Sequence, residues 1–486
     1  MRDDIFDLRS ALDVLRDIPG ELQQVERPMS LQAELIGYYH KLAARGTSRR
    51  PTRLGPTMLF TNIQDWPGAR IAIGVMGSRR RVGCLLGVDE TRLPHFYNDC
   101  LKQLVPPVEI PSAQAACHEE VHLASDPDFD LRSLLPVPLT TVRDAGPYIT
   151  MGLCYASDPD DRSARNAAVH RLCIQGRDEM TIGFGGYRHM GVFRDKAFAK
   201  GKGLPISINI GLDPALYLAS SFEPPTTPLG FDELSVAGAM RDRAVELTRC
   251  AAIDEMCIAN AEIVIEGELV PDYQLKEDQN TGSGRGLPEF PGYSGPARMC
   301  PVVKVKAVTC RRNPILQTCI GSSEEHVNMA GIPNEASVLS YAQAAVPGLV
   351  QNVYCPPSGC GKFDIIVQVQ KKSPADEGKQ RQMALGALGV LPETKNLFIV
   401  DEDVDIFDPY DVQWALTTRF RPDLDMICAP GVRCHIGDPT EKQFYDPNLR
   451  ENGLGTKVIY DASVPFKLKE SFWRPEFMDV DVSEES

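Results

Sequence analysis

Two charged residues, Arg171 and Glu289, have the types and surroundings that acid–base chemistry requires. Arg171 lies in a strand-like segment, residues 166–175, and Glu289 lies in a stiff proline-rich turn, residues 288–293. A carboxylate held among prolines and aromatic rings loses hydration, which favours its neutral form, whereas a nearby guanidinium favours its charged form. The balance of these effects allows a general acid that works near neutral pH. An exposed loop glutamate is the plainer alternative, which the pair alone does not exclude.

Arg171 is predicted to lie in a β-hairpin. The chain turns near Gly176 and enters a second extended segment that ends at residues 185–186, just before His189. Such a hairpin could gather Asn166, Arg171 and His189 around one cavity, which would offer an amide oxygen, a guanidinium and an imidazole. A surface hairpin without a ligand is the alternative.

Glu233 is a third candidate, because it follows a proline-rich loop and opens a predicted helix over residues 234–247. Carboxylates at a helix N-terminus also complement the helix dipole, so a structural role is the alternative. Together with Asn166 and His189, Glu233 could bind a divalent ion, and this mixture of oxygen and nitrogen ligands suits Mn²⁺ or Mg²⁺ better than zinc. Phosphate is the natural partner of such an ion. Lys457, at a glycine-rich entry to a strand, could add a positive charge.

Three short motifs resemble known metal- or phosphate-binding sequences, but the surrounding residues argue against each of these functions. The run HEEVH, from His118 to His122, matches a zinc-protease template that requires a helix, but prolines and aspartates flank it and no obvious third ligand accompanies it. The run GCGK, which ends at Lys362, lacks the first glycine and the hydroxyl residue of a phosphate-binding loop. Lys362 remains a candidate because it leads from a glycine-rich turn into a buried strand. The acidic run 401–405 lacks the glycine and glutamate of an EF-hand.

Length and composition indicate a multidomain α/β protein. The chain has 486 residues, more than one hydrophobic core supports. Its 51 basic and 66 acidic side chains give a net charge of −15, which argues against nucleic acid or an anionic membrane as partner. No apolar run is long enough to cross a membrane, and a charged N-terminus without a signal-peptide pattern predicts a cytoplasmic protein. Fourteen scattered cysteines predict reduced thiols.

Hydrophobic periodicity divides the chain into three predicted domains. Residues 1–120 form an α/β segment, residues 121–322 form a compact β domain rich in glycine and proline turns, and residues 323–486 alternate strands with helices. The last pattern predicts a largely parallel sheet. Helices are predicted from Asp7 to Ile18 and over residues 30–45, 334–345, 377–388 and 408–419.

Ordered sequence blocks carry a resemblance over nearly the whole chain. They are Asn166 with Arg171, Arg188 with His189, FDELSVAGA at 231–239, PEFPGY at 288–293 and GLGTK at 453–457. In order, spacing and flanking residues they resemble the UbiD family of reversible decarboxylases, and the branch that acts on protocatechuate and gallate most of all. The resemblance implies a central split β-barrel that binds a flavin, between an N-terminal α/β segment and a C-terminal α/β oligomerisation domain.

The resemblance also implies a cofactor, prenylated FMN, whose phosphate is held through Mn²⁺ or Mg²⁺ with K⁺ nearby. By motif match, Asn166, His189 and Glu233 would bind the metal and thereby the cofactor. Further contacts to the cofactor would come from Arg188, Lys457 and His170. A flavin prenyltransferase would supply the cofactor, and the chain is expected to form a dimer or a hexamer of identical subunits.

The implied reaction is reversible, non-oxidative decarboxylation of an aromatic acid through a covalent adduct with the prenylated flavin, which accepts electron density as CO₂ leaves. Glu289 would return the proton, and Arg171 would orient Glu289 and the substrate carboxylate by paired hydrogen bonds. By block similarity, the residues that would face the ring substituents are His326, Lys362 and His435.

One position departs from the family pattern. The cinnamate-type branch has a second glutamate five positions before the acid, where this chain has Gly284. The second acid is therefore in doubt, and hydroxybenzoates fit a site without one because their phenol shares the electronic task. The alternatives that remain open are a decarboxylase of pyrrole, furan, indole or phenazine carboxylates, a cofactor-free acid–base lyase, and a non-enzymatic oligomeric scaffold.

Overall fold

The structure is a computed structural model that describes residues 2–49, 51–184, 188–222, 226–435, 437–441 and 453–480. Its helices are α1 Leu8–Arg16, α2 Glu34–Ala43, α3 Arg79–Leu86, α4 Leu93–Lys102, α5 Leu131–Leu134, α6 His189–Ala199, α7 Pro214–Ala219, α8 Glu233–Arg241, α9 Glu324–Ala345, α10 Lys379–Val390, α11 Pro409–Arg419 and α12 Pro422–Asp425. Within these described ranges, no helix has the length and apolar character needed to cross a membrane.

The strands fall into several sheets. They are β1 Leu22–Val25, β2 Thr57–Phe60, β3 Arg70–Ile73, β4 Val108–Glu109, β5 Glu120–Leu123, β6 Tyr148–Ser157, β7 Arg165–Ile174, β8 Glu179–Ile182, β9 Leu204–Ile210, β10 Glu246–Arg249, β11 Met256–Ile258, β12 Ile263–Lys276, β13 Arg285–Pro288, β14 Ser294–Pro296, β15 Met299–Cys310, β16 Ile315–Thr318, β17 Val350–Tyr354, β18 Asp364–Val369, β19 Asn396–Asp401, β20 Met426–Arg433 and β21 Leu454–Asp461.

Two compact units divide the chain. Unit 1 comprises Met1–Ser337 and Pro357–Lys362, and unit 2 comprises Val338–Pro356 and Phe363–Ser486. Of the residues discussed above, Arg171, Glu233 and Glu289 belong to unit 1, and His435 and Lys457 belong to unit 2. The helix α9 begins in unit 1 and ends in unit 2.

A closed antiparallel β-barrel forms the centre of unit 1. Its strands follow the order β12, β9, β6, β7, β8 and β15, and β15 pairs again with β12 to close the ring. Successive side chains of a strand point to opposite faces. Along β6, Cys154 joins one apolar cluster and its neighbours Leu153 and Tyr155 join another, so both faces of the barrel wall are buried. The predicted central β-barrel is confirmed.

A smaller sheet, ordered β1, β2, β3 and β16, occupies the N-terminal part of unit 1. Asp7 caps α1 by accepting the backbone N–H of Ser10, as its position in the sequence predicts. Leu8, Leu12 and Leu15 of α1 are buried in one apolar cluster together with Leu59, Ala72 and Ile315 from the strands. The N-terminal α/β segment is thus completed by a strand from a distant part of the chain.

Unit 2 contains a sheet in the order β17, β18, β19, β21 and β20. The three central strands are parallel, and the two edge strands pair antiparallel with their neighbours. The predicted C-terminal α/β fold is confirmed, and parallel pairing is confined to the centre. β17 and β18 are joined by a connection too short for a crossover helix, which explains the antiparallel edge.

Two helix boundaries differ from the sequence prediction. The helix α8 ends at Arg241 rather than at residue 247, because Asp242 adopts φ +50° and residues 246–249 pair with β4 and β11. The helix α9 begins at Glu324, well before residue 334. Pro333 lies inside α9 and interrupts the sequence pattern, since proline normally breaks a helix interior.

Candidate active site

Arg171 and Glu289 form a direct ion pair. Arg171 lies on β7, Glu289 follows β13 at once, and Nη1 of the arginine is 2.5 Å from Oε1 of the glutamate. The turn that carries Glu289 closes on itself, because Glu289 donates its N–H to the carbonyl of Tyr293 at 2.9 Å and accepts that of Gly292 at 2.9 Å. The Glu289 side chain is 34% exposed and that of Arg171 is 26% exposed. The pair is therefore held in place and still accessible to a small molecule.

Glu277 is a second carboxylate beside Arg171, and the sequence analysis missed it. Its Oε1 lies 3.6 Å from Nε of Arg171 and accepts the hydroxyl of Tyr148 at 3.2 Å. Its Oε2 accepts the backbone N–H of Arg298 at 3.0 Å. Burial lowers the pKa of Arg171, but the carboxylates of Glu289 and Glu277 outweigh burial, and the pKa is raised overall. Arg171 therefore stays charged between the two carboxylates.

Gly284 has a backbone conformation that explains why no glutamate stands there. Its φ is +70°, in the left-handed region that disfavours residues with a side chain. Asp278 fixes this turn, because its Oδ2 accepts the N–H of Gly284 at 2.7 Å. A carboxylate at position 284 would strain the turn, whereas Glu277, just beyond the end of β12, brings one to Arg171 without strain.

Aromatic and basic side chains lie next to Glu289 in unit 1. The ring of Phe290 lies 6.0 Å from the ring of His326, which is in the first turn of α9. Nζ of Lys362 lies 5.6 Å from the centre of the same Phe290 ring. The structure thus brings His326 and Lys362, both predicted site residues, to the residue that follows the proposed acid.

Asn166 and Glu233 meet at the predicted metal site. Nδ2 of Asn166 donates to Oε1 of Glu233 at 3.0 Å, and the N–H of Ala167 donates to Oε2 at 2.9 Å. Burial raises the pKa of Glu233 to about 8. Oδ1 of Asn166 is buried without a hydrogen-bond partner among the described residues. A buried carboxyl next to a buried oxygen without a partner is the chemistry that a divalent cation would stabilise.

His170, Arg188 and His189 lie around the same strand. His189 is the first residue of α6, and both α6 and α8 pack against β7. Burial, with a contribution from the charge of Arg188, lowers the pKa of His189, and the same causes lower that of His170 to about 4. Both imidazoles are therefore neutral near pH 7. The segment 185–187, where the second strand of the predicted hairpin was expected to end, lies outside the described residues.

Lys457 and His435 have partners within unit 2. Nζ of Lys457 donates to the carbonyls of Leu388, Leu391 and Pro392, at 3.1, 3.3 and 2.8 Å. Lys457 therefore caps the C-terminal end of α10, and its contact with a phosphate stays a prediction. Nδ1 of His435 accepts the N–H of Gly437 at 2.7 Å, and its ring lies 6.1 Å from that of Phe363. Its contact with a substrate also stays a prediction.

Three family models match the chain: the N-terminal domain of 3-octaprenyl-4-hydroxybenzoate carboxy-lyase at residues 15–100, its Rift-related domain at 108–324 and its C-terminal domain at 327–462. A gallate decarboxylase of Lactiplantibacillus plantarum is 44% identical, over 99% of this chain and 98% of the relative.

Solved structures agree with these matches. The apo structure of a 3,4-dihydroxybenzoic acid decarboxylase from Enterobacter cloacae has a TM-score of 0.94 and 48% identity, over 99% of both chains. The UbiD-class enzyme HmfF from Pelotomaculum thermopropionicum, in complex with FMN, has a TM-score of 0.86 and 29% identity, over 99% of this chain and 100% of that one. An evolved dimeric form of HmfF, in complex with prFMN, has a TM-score of 0.82 and 29% identity, over the same shares. The chain therefore belongs to the UbiD family of decarboxylases.

Proposed function

We propose that this protein catalyses the reversible, non-oxidative decarboxylation of a hydroxybenzoate such as protocatechuate or gallate, with prenylated FMN as cofactor. The observation that carries the proposal is the ion pair of Arg171 with Glu289, flanked by Phe290, His326 and Lys362. The names of the similar proteins, a gallate decarboxylase and a 3,4-dihydroxybenzoic acid decarboxylase, support this choice of substrate.

The residues around β7 fit a metal-bound flavin phosphate. Asn166 offers a buried oxygen without a partner, Glu233 offers a buried carboxylate, and His189 offers an imidazole that is neutral at pH 7. This set of ligands suits Mn²⁺ or Mg²⁺. Prenylated FMN, when bound, supplies the electron sink that the departure of CO₂ from an aromatic ring requires.

In the proposed mechanism, Arg171 binds and orients the substrate carboxylate. Its guanidinium can offer paired N–H donors to a carboxylate, which a lysine ammonium cannot reproduce. Because its two neighbouring carboxylates keep it charged, Arg171 can pair with the substrate carboxylate before CO₂ leaves. After CO₂ has left, Glu289, which is one-third exposed, delivers a proton to the ring carbon and regains one from water.

Glu277, His326 and Lys362 assist in different ways. Glu277 is buried and held by Tyr148 and the backbone of Arg298, so it provides a fixed charge near Nε of Arg171. His326 and Lys362 lie on the side of Phe290 and are the residues we assign to the phenolic hydroxyls of the substrate. A lysine ammonium stabilises a phenolate oxygen by charge, and an imidazole can donate to or accept from a hydroxyl.

The proposal is tested with Glu289→Gln in protein co-expressed with a flavin prenyltransferase. The variant should purify with the wild-type content of flavin and manganese, while decarboxylation of protocatechuate and gallate falls by about 10²–10⁴-fold because the proton donor is lost. Glu109→Gln is the control, since Glu109 also pairs with an arginine, Arg249, but is exposed. Wild-type turnover by Glu289→Gln would contradict the acid role. The same assay with furan, pyrrole, indole and phenazine carboxylates tests the alternative substrates.

A further inference from the structure

A cluster of sulfur and imidazole groups lies in unit 1, and the proposed reaction does not use it. Sγ of Cys117 is 4.0 Å from Sγ of Cys257, which is 3.9 Å from Nε2 of His118. All three ligand atoms lie within 4.8 Å of one another. Two thiols and one imidazole thus converge on one point, and the thiol of a fourth residue, Cys250, interacts with that of Cys257.

Backbone contacts bring these four residues together without help from a ligand. Cys257 lies on β11, and Cys250 follows β10, where its N–H donates to the carbonyl of Glu255 at 2.9 Å. Cys117 lies in a short 3₁₀ turn, and its N–H donates to the carbonyl of Ala259 at 3.0 Å. Glu266 fixes the loop after Cys250 by accepting the N–H groups of residues 251 and 252 at 2.9 and 2.6 Å. The ligand set is therefore preorganised.

The structure changes the interpretation of the HEEVH run at residues 118–122, because this run is not α-helical. Residues 120–123 form β5 rather than a helix, so His118 and His122 do not share a helical face, and the zinc-protease interpretation is excluded. His122 instead pairs with Glu120 at 4.0 Å. His118 is therefore not part of a zinc-protease motif, and its imidazole lies next to the thiol of Cys257.

The distances match tetrahedral zinc. Bonds of about 2.3 Å to sulfur and about 2.0–2.1 Å to nitrogen place ligand atoms roughly 3.8 Å apart for two sulfurs and roughly 3.6 Å for sulfur and nitrogen. The observed 4.0 and 3.9 Å are close to these values. A disulfide needs sulfurs about 2.05 Å apart, so the cysteines are free thiols at the observed distance.

We propose that Cys117, His118 and Cys257 bind one zinc ion, and that the thiol of Cys250 turns towards the ion to supply the fourth ligand of a closed Cys₃His structural site. Four protein ligands leave no position for a substrate, which is typical of structural and not of catalytic zinc. Binding replaces three S–H bonds with three Zn–S bonds and releases three protons, while the imidazole binds in its neutral form. The ion would tie the turn before β5 to the β10–β11 hairpin, two segments far apart in sequence.

The test measures zinc in the full-length protein, purified without a polyhistidine tag, incubated with zinc and then desalted. Wild type should retain one zinc per chain, measured by plasma mass spectrometry. Cobalt(II) in its place should give the visible and thiolate charge-transfer bands of a tetrahedral site. His118→Ala and Cys257→Ser should lose the zinc. His118 is only half-buried, so its replacement tests the site even if Cys257→Ser does not fold.

Two controls separate this site from the proposed manganese site and from general thiol loss. Cys100→Ser removes another buried thiol and should retain zinc. Glu233→Gln removes a proposed manganese ligand and should also retain zinc. A desalted wild type without zinc, or zinc kept by both His118→Ala and Cys257→Ser, would overturn the proposal.

Discussion

At the scale of single residues, Arg171 lies beside two carboxylates that differ in their exposure to solvent. Glu289 is one-third exposed on a turn, so it can exchange protons with water or a substrate. Glu277 is buried and receives hydrogen bonds from Tyr148 and the backbone of Arg298. In the proposed mechanism, the accessible Glu289 at Nη1 transfers the proton, and the buried Glu277 near Nε positions the guanidinium.

Glu277→Gln tests this division. Glutamine keeps the size of the side chain but removes the charge, so Arg171 loses one of the two carboxylates that hold it in place. We expect kcat to fall about tenfold, equivalent to roughly 1.4 kcal/mol, with little change in KM. Glu179→Gln is the control, because Glu179 also meets a tyrosine and a cation, Tyr273 and Lys304. A variant with the wild-type kcat would refute the positioning role.

Residue type and local rigidity identify Arg171 and Glu289 as candidates in the sequence, and the ordered family blocks then favour them over an exposed loop glutamate. Glu277 could not be found in this way, because nothing around position 277 resembles a motif. Its role depends on the tertiary fold, which brings the end of β12 to β7. The left-handed backbone conformation of Gly284 could not be predicted from the sequence either. The glycine itself was a signal, because it occupies the position of an acid in related enzymes and so suggests a carboxylate elsewhere.

At the scale of elements, the turn that carries Glu289 packs tightly against Gly321, between β16 and α9. A Cβ atom at Gly321 would lie 2.1 Å from the carbonyl oxygen of Pro288 and 3.4 Å from Cα of Glu289. Gly321→Ala should therefore displace the acid and lower kcat by about 10²-fold, as a misplacement near 1 Å does, with flavin content unchanged. Gly295→Ala is the control, because a Cβ there meets nothing within 4 Å. Equal kcat values for the two variants would exclude this close contact.

The start of α9 is joined to the loop after β3 by Glu325, whose carboxylate accepts the N–H groups of Gly74 and Met76 at 2.8 and 3.0 Å. Burial raises the pKa of Glu325 from 4.5 to about 7. The native state therefore keeps a proton that the unfolded state releases. The contribution of Glu325 to the free energy of unfolding is complete below pH 4.5 and is lost as the pH rises through 7. The free energy of unfolding should fall by up to roughly 3 kcal/mol over this range.

Unfolding by denaturant at pH 5 and pH 8 measures this dependence. Glu325→Gln cannot ionise, so the difference between the two pH values should shrink in this variant. Glu34→Gln, which replaces an exposed glutamate at the start of α2, should leave the difference as in wild type. An undiminished difference in Glu325→Gln would show that other groups cause the pH dependence.

At the scale of the whole molecule, periodicity was sufficient to predict a compact central β domain between α/β segments, and the family resemblance implied that this domain is a barrel. Periodicity could not predict which distant strands join. Ile315–Thr318 completes the N-terminal sheet by pairing with β3, and such long-range pairing leaves no local trace in the sequence. The antiparallel edge formed by β17 has a local cause instead, because its connection to β18 is too short for a crossover helix. The boundaries of α8 and α9 depend on Asp242 in a left-handed conformation and on Pro333 tolerated inside a helix.

Unit 2 has its own core and its own buried cation, so its stability can be changed separately from the acid–base site in unit 1. Lys457 closes the C-terminal end of α10 with three carbonyl contacts. Burial lowers its pKa to about 8. Lys457→Met keeps the length of the side chain but leaves the three carbonyls without their donor, which should cost about 1–3 kcal/mol. Amide hydrogen exchange of α10 in the cofactor-free protein should therefore become faster, while exchange in the barrel strands of unit 1 stays unchanged.

Lys395→Met provides the matched control, because Lys395 pairs with Asp438 and donates to Thr440 in the same unit, and both partners lie outside α10. Flavin content, measured on Lys457→Met protein that is co-expressed with a flavin prenyltransferase, separates the two roles of this lysine. Faster exchange with a normal flavin content assigns Lys457 to the support of α10 alone, whereas depleted flavin adds the phosphate contact that the family resemblance implies. Exchange of α10 at the wild-type rate would refute the capping role, because a helix end that loses three hydrogen bonds opens more often.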